Sequence, residues 1–355
     1  MVTYALSSAM WKLVEKVRRE SGFDPSTATP ERLQQLNSTP LNKRYRKLLG
    51  KFPRGIEGET FIIPVEGGAI TGYLFRSRSH REVSDVTPLV VFYHGGGWVF
   101  GNMDLYNVFC ARLADRLQAT VLSVDYRLAP TYKFPTAAED CYSTLLWASA
   151  GSRYWKVDPD QIFVMGDCVG GSLAAVVSRL ARDRKGPAIA GQILICPVTD
   201  GRMRTESYET YKDSPTLTEK QMAFYINQYA KEPKDILNPN FSPMLGLDKS
   251  RLPETLVITA EYDPLKPDGA LYAKQLREND TPANCLEVKK TVHGFICYPD
   301  ATGTEEALCA INQFISGRSV NQVTLITTKD YNAQLKQEQR EAKRKLKNHL
   351  AIDSE

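Results

Sequence analysis

The chain has 355 residues, of which 42% are hydrophobic and 24% charged, with a formal net charge of +4. That balance describes a globular protein able to bury a sizeable core and excludes a disordered or collagen-like chain. No stretch reaches the roughly 20 apolar residues of a membrane span, and six basic against two acidic residues between Lys336 and Lys347 account for the whole charge excess, so no basic face for nucleic acid is expected.

In chain order, Leu6, Met10, Leu13, Val14 and Val17 recur at helical spacing until Gly22, and Thr29 before Pro30 reads as an N-cap with proline in the first turn. The start lacks a basic region ahead of an apolar run, which predicts a cytosolic (cytoplasmic) address. From Thr60, FIIPV and AITGYLF flank Gly67 and Gly68 as a hairpin. Short apolar runs then alternate with helical patterns: strands at 89–93, 120–124, 162–165, 192–195, 255–259 and 286–288, with helices such as 104–117 and 172–184. Such alternation predicts an α/β fold, a mostly parallel sheet covered by helices on both faces.

The expected organisation is a helical cap segment over 1–55, a core over 56–199 and 251–317, and a helical cap insertion over 200–250. Within the insertion, Thr218 and Gln221 have the spacing of a capping box. Residues 318–355 form a C-terminal extension with a possible edge strand at 323–327 and a thinly apolar basic helix. That helix is either a solvated tail or a docking element for an acyl carrier or a second subunit.

Ligands of parallel sheets bind beyond the carboxyl ends of the strands. There, Gly166-Asp167-Cys168-Val169-Gly170-Gly171 lies between the strand IFVM and a helix, the arrangement of a nucleophile elbow. Glycines two before and two after the central residue leave room for strand and helix to approach. The central residue is cysteine, and the helix amino terminus favours an anion at its position. Upstream, His94-Gly95-Gly96-Gly97-Trp98 follows another strand, and its glycines let backbone N–H groups turn toward a developing oxyanion.

HGGGW, DYRLAP at 125–130, GDCVGG, EYDPL at 261–265 and HGF at 293–295 together resemble the hormone-sensitive-lipase family of α/β-hydrolases, in its carboxylesterase branch. The resemblance runs from about Arg54 to Gly317. It implies an α/β-hydrolase fold with a helical cap and the catalytic set Cys168, His293 and Asp263, with cysteine where the family has serine. It also implies an oxyanion hole formed by Gly96, Gly97 and Val169.

The order nucleophile, acid, base is also what this fold requires. Asp200 and Glu261 are rivals to Asp263. Of the four histidines, His94 reads as a brace for the glycine loop, His80 as solvated and His349 as part of the terminal helix, which leaves His293. Trp98, Tyr225 and Tyr229 are candidate substrate contacts. Pro267 and Val169 depart from the family pattern, the first where a second aspartate is usual and the second beside the nucleophile.

The seven cysteines, odd in number, scattered and without a CxxC pair, argue against a disulfide framework and a zinc site, and most read as small buried hydrophobes. The chemistry implied by the triad calls for no metal or organic cofactor. The expected activity is hydrolysis of a small-molecule acyl ester or thioester through a thioester acyl-enzyme. Transfer of the acyl group to an amine, alcohol or carbon nucleophile, as in an acyltransferase or cyclase, is the alternative. A ligand-binding pseudoenzyme, an inert buried cysteine, and a cysteine introduced for serine remain as further readings.

Overall fold

The computed structural model describes residues 4–317 apart from 22–23, 25–27, 79–85 and 102. His80, His349, Gly22 and the whole 318–355 extension therefore lie outside the described residues, as does the docking role assigned to the terminal helix.

Three helices open the chain: α1 (Ser8–Ser21), α2 (Pro30–Ser38) and α3 (Lys43–Leu48). Thr29 caps α2, its side chain accepting the Arg32 N–H, with Pro30 in the first turn. An eight-stranded sheet follows. The strands are β1 (Ile56–Val65), β2 (Gly68–Ser77), β3 (Thr87–Tyr93), β4 (Thr120–Asp125), β5 (Val157–Asp167), β6 (Gly191–Ile195), β7 (Glu254–Tyr262) and β8 (Ala283–Val292). Their order is β1-β2-β4-β3-β5-β6-β7-β8. The pairs β1–β2 and β2–β4 are antiparallel, and every other pair is parallel.

The helices between strands are α4 (Met103–Leu117), α5 (Thr136–Gly151) and α6 (Val169–Asp183). After them come α7 (Glu206–Thr210) and α8 (Glu219–Tyr229), then α9 (Lys266–Glu278) and α10 (Thr304–Ile315). Two apolar clusters form, one on each face of the sheet. Residues of α5, α6 and α9 pack in one, and residues of α1, α4 and α10 in the other. Burial on both faces is why the central strands are continuously apolar. The edge strand β8 instead mixes buried, half-buried and exposed residues, which is why its sequence shows only a short apolar run where the structure has ten residues.

Residues 200–250 carry α7, α8 and two short 3-10 turns, Pro233–Leu237 and Pro243–Leu245. The capping box at the start of α8 is formed: Gln221 N donates to Thr218 Oγ1 at 3.1 Å, and Thr218 N donates to Gln221 Oε1 at 3.0 Å.

Helix α6 begins at Val169, three residues before the apolar pattern announces it. The two glycines of its first turn are weak helix formers, but packing requires them. A Cβ on Gly170 would sit 2.0 Å from the Tyr93 carbonyl oxygen, and one on Gly166 would sit 2.1 Å from the Gly170 carbonyl carbon. Backbone cannot yield as a side-chain tip can. Gly170→Ala is therefore expected to lower unfolding free energy by about 3 kcal/mol or more, the upper range of overpacking costs. A denaturant midpoint within error of wild type shows that β3 and α6 are not in this contact.

Candidate active site

Cys168 sits at the turn between β5 and α6 with φ 57° and ψ −121°, a conformation that non-glycine residues enter only when their surroundings impose it. Its N–H donates to the Ile195 carbonyl at 2.8 Å, continuing the β5–β6 ladder for one more bond. Its side chain lines a cleft of about 810 Å³ together with Gly96, Gly97, Asp167, Tyr225 and His293. Although 6% exposed, the thiol is not sealed in packing.

His293 follows β8, and its Nδ1 lies 2.8 Å from Asp263 Oδ2. The other carboxylate oxygen accepts the Leu265 N–H at 2.9 Å, so the acid is held at both ends although it is wholly buried. Burial by itself pushes the imidazole pKa down. The charge of Asp263, the charge of Cys168 and hydrogen bonds to both more than reverse this, holding His293 well above 6.5. An imidazole linked on one side to a carboxylate and on the other to a thiol can take a proton from the thiol and return it to a leaving group.

The rival acids are committed elsewhere. Asp200 is paired with Arg202 at 2.7 Å, and Glu261 accepts the Lys290 N–H at 2.7 Å. Of the three carboxylates, the structure brings Asp263 to His293. Pro267 falls in the first turn of α9, and the neighbouring Asp268 carboxyl accepts the Thr199 and Asp200 N–H groups at 3.3 and 3.4 Å.

The glycine loop faces the elbow. Gly96 has φ 107°, and a Cβ there would lie 1.7 Å from the Phe100 carbonyl oxygen. Gly97 has φ 66°, and its Cβ would strike the Tyr225 ring at 2.1 Å. Among the described residues, no recorded hydrogen bond uses the N–H of Gly96, Gly97 or Val169. Unpaired backbone donors of this kind are what a developing oxyanion requires. The Val169 side chain is fully buried and packs in the core.

His94 braces this loop. Its Nδ1 donates to the Gly95 carbonyl at 2.7 Å, its ring stacks on Tyr126 at 4.2 Å, and burial lowers its pKa to about 4, so the ring is neutral.

Two expected substrate contacts are corrected. Trp98 and Tyr229 stack on each other at 4.7 Å and pack with Phe134 and Phe241, both rings 1% exposed and neither on the cleft wall. Tyr225, one helical turn before Tyr229, does line the cleft. Aromatic spacing along α8 was equally compatible with either role.

Three other residues belong to the site. Cys196, one of the seven scattered cysteines, offers its Sγ within 4.8 Å of Asp263 and His293 ligand atoms, the one such potential metal-ligand group among the described residues. The Nδ1–Oδ2 hydrogen bond already joins two of those atoms. Asp167 lines the cleft, and so does Tyr106 of α4. Asp167 was legible only as an elbow letter, and Tyr106 as one more residue of an amphipathic helix.

A family model described as alpha/beta hydrolase fold matches residues 90–297. An arylesterase of Saccharolobus solfataricus is 37% identical over 262 residues, covering 73% of this chain and 84% of that protein. The solved structure of a Pyrobaculum calidifontis esterase superposes with a TM-score of 0.77 at 33% identity, covering 88% of this chain and 98% of that one. A thermostable carboxylesterase cloned from a metagenomic library gives a TM-score of 0.74 at 36% identity, over 82% of this chain and 98% of its own. No described helix is long and apolar enough to cross a membrane.

Proposed function

We propose that this chain, which belongs to the hormone-sensitive-lipase-like family of α/β-hydrolases, hydrolyses small acyl esters or thioesters with Cys168 as nucleophile, His293 as base and Asp263 as the acid that orients it. The observation that supports this reading best is the alignment of one imidazole between a buried carboxylate at 2.8 Å and a thiol that opens onto the cleft. Similarity to an arylesterase and to carboxylesterases supports an ester as the substrate class.

The sulfur attacks the substrate carbonyl carbon, and the N–H groups of Gly96, Gly97 and Val169 hold the resulting oxyanion. Collapse of this intermediate breaks the bond to the alcohol or thiol, which leaves with the proton carried by His293. A thioester to Cys168 remains. Water then gives its proton to His293, attacks the thioester and releases the acid, returning the thiol to its starting state.

A thioester remains activated toward amines and alcohols, so acyl transfer is the second reading. Partitioning distinguishes the two. With a chromogenic ester and graded concentrations of small amines or alcohols, hydrolysis predicts carboxylic acid as the main product at every acceptor concentration. A saturable shift to amide or new ester, at acceptor concentrations that leave the Cys168→Ala variant silent, identifies a transferase instead.

A further inference from the structure

The glycine loop and the elbow are joined by two side chains to which the reaction just described gives no task. The Tyr106 hydroxyl accepts the Gly95 N–H at 3.1 Å and donates to Asp167 Oδ2 at 3.5 Å. Gly95 immediately precedes the two glycines that carry the oxyanion donors, and Asp167 immediately precedes Cys168. Loop and elbow are in contact here. A Cβ on Gly95 would lie 2.8 Å from the Tyr106 oxygen, 3.0 Å from the Asp167 carbonyl and 3.2 Å from the Cys168 Cβ.

Resting on the reading of Cys168 as nucleophile, we propose that Tyr106 and Asp167 are positioning residues, a hydrogen-bonded strut that sets the oxyanion donors at their working distance from the sulfur. The relay runs from the Gly95 N–H to the phenol oxygen and from the phenol proton to the carboxylate. Each link depends on the next, because an anionic acceptor strengthens the bond that the phenol donates.

The carboxylate is poised to be sensitive to this bond. Asp167 is 3% exposed, and its Oδ1 has no hydrogen-bond partner among the described residues. Its pKa is raised to about 6: burial and the charge of Asp263 push it up, while the charge of His293, the Tyr106 hydroxyl and the Cys168 backbone pull it down. Cys196, Cys297 and Tyr298 also feel its charge. The nearby His94 ring is neutral. Asp167 is thus ionised above about pH 6 and loses its charge below it, and the strut slackens as that charge is lost.

Tyr106→Phe tests the proposal, because it removes one hydroxyl and keeps the ring that packs against Phe92 and His94. The expected result is a fall in kcat of about 10- to 100-fold with little change in KM, the cost of moving reacting groups by a fraction of an ångström to one ångström. The acid limb of kcat/KM is expected to move to higher pH, since Asp167 loses a donor that lowers its pKa. Asp167→Asn is expected to abolish the limb near pH 6. An unchanged kcat and acid limb in Tyr106→Phe, or a change confined to KM, overturns the strut. Should Tyr106→Phe fail to fold, a limb that persists in Asp167→Asn overturns it alone. Acylation of Cys168 in wild type, followed by mass, keeps the two claims apart: no adduct in wild type defeats the nucleophile, whereas equal acylation rates in wild type and Tyr106→Phe defeat only the strut.

Discussion

Cys168→Ala is expected to reduce kcat for ester hydrolysis by about ten-thousandfold or more, the scale seen when the nucleophile is removed from a triad that acts as a unit. The remaining turnover comes from substrate binding and the oxyanion donors, which the substitution leaves in place. Alanine fits the space of the thiol, so the fold is expected to persist with a thermal midpoint within a few degrees of wild type. Cys168→Ser is the informative companion. His293 and Asp263 are already aligned, and a hydroxyl needs their help more than a thiol does, so this variant is expected to retain turnover well above that of alanine. A kcat for Cys168→Ala close to wild type removes the sulfur from the mechanism, whatever the serine variant does.

Asp263→Asn is expected to cost about a thousandfold to ten-thousandfold in kcat. Shape is conserved, but the charge that holds His293 protonated is lost. With burial left to act on the ring, the imidazole pKa falls from its position well above 6.5. The same change has a stability signature whose sign is fixed. A histidine whose folded pKa is raised contributes stability that is fully present below its unfolded value of 6.5 and disappears as pH rises through the folded value. Asp263→Asn therefore loses His293's contribution most completely below pH 6.5. Unfolding curves at acid, neutral and alkaline pH check this, and a stability difference that grows toward alkaline pH contradicts it.

How much of this was visible beforehand depends on the kind of constraint. Gly166 and Gly170 were readable because close packing of β3, β5 and α6 admits no side chain there, so the requirement is written directly as residue type. Gly96 and Gly97 were readable for the same reason, through positive φ and the approach of Phe100 and Tyr225. The pairing of His293 with Asp263 was legible because each follows a strand, and adjacent parallel strands carry both residues to the same end of the sheet.

What escaped was decided by tertiary placement. Tyr225 and Tyr229 lie one turn apart on α8 and present the same pattern, but α8 crosses the cleft so that the first faces it and the second joins Trp98, Phe134 and Phe241 in a sealed aromatic cluster. Cys196 looked like any small buried hydrophobe, and only the parallel register of β6, β7 and β8 brings it beside the acid and base. Tyr106 looked like core, and it is core by burial. Its hydroxyl acquires meaning only from the Gly95 N–H on one side and Asp167 on the other.

The most direct test of the central claim is intact-mass spectrometry of wild-type protein quenched at short times after mixing with an activated acyl ester, followed by peptide mapping. The account predicts a transient increase equal to one acyl group, located on Cys168, that decays as the carboxylic acid appears and is absent from Cys168→Ala. Full turnover with no acyl group ever attached to Cys168, or with the acyl group on another residue, contradicts it.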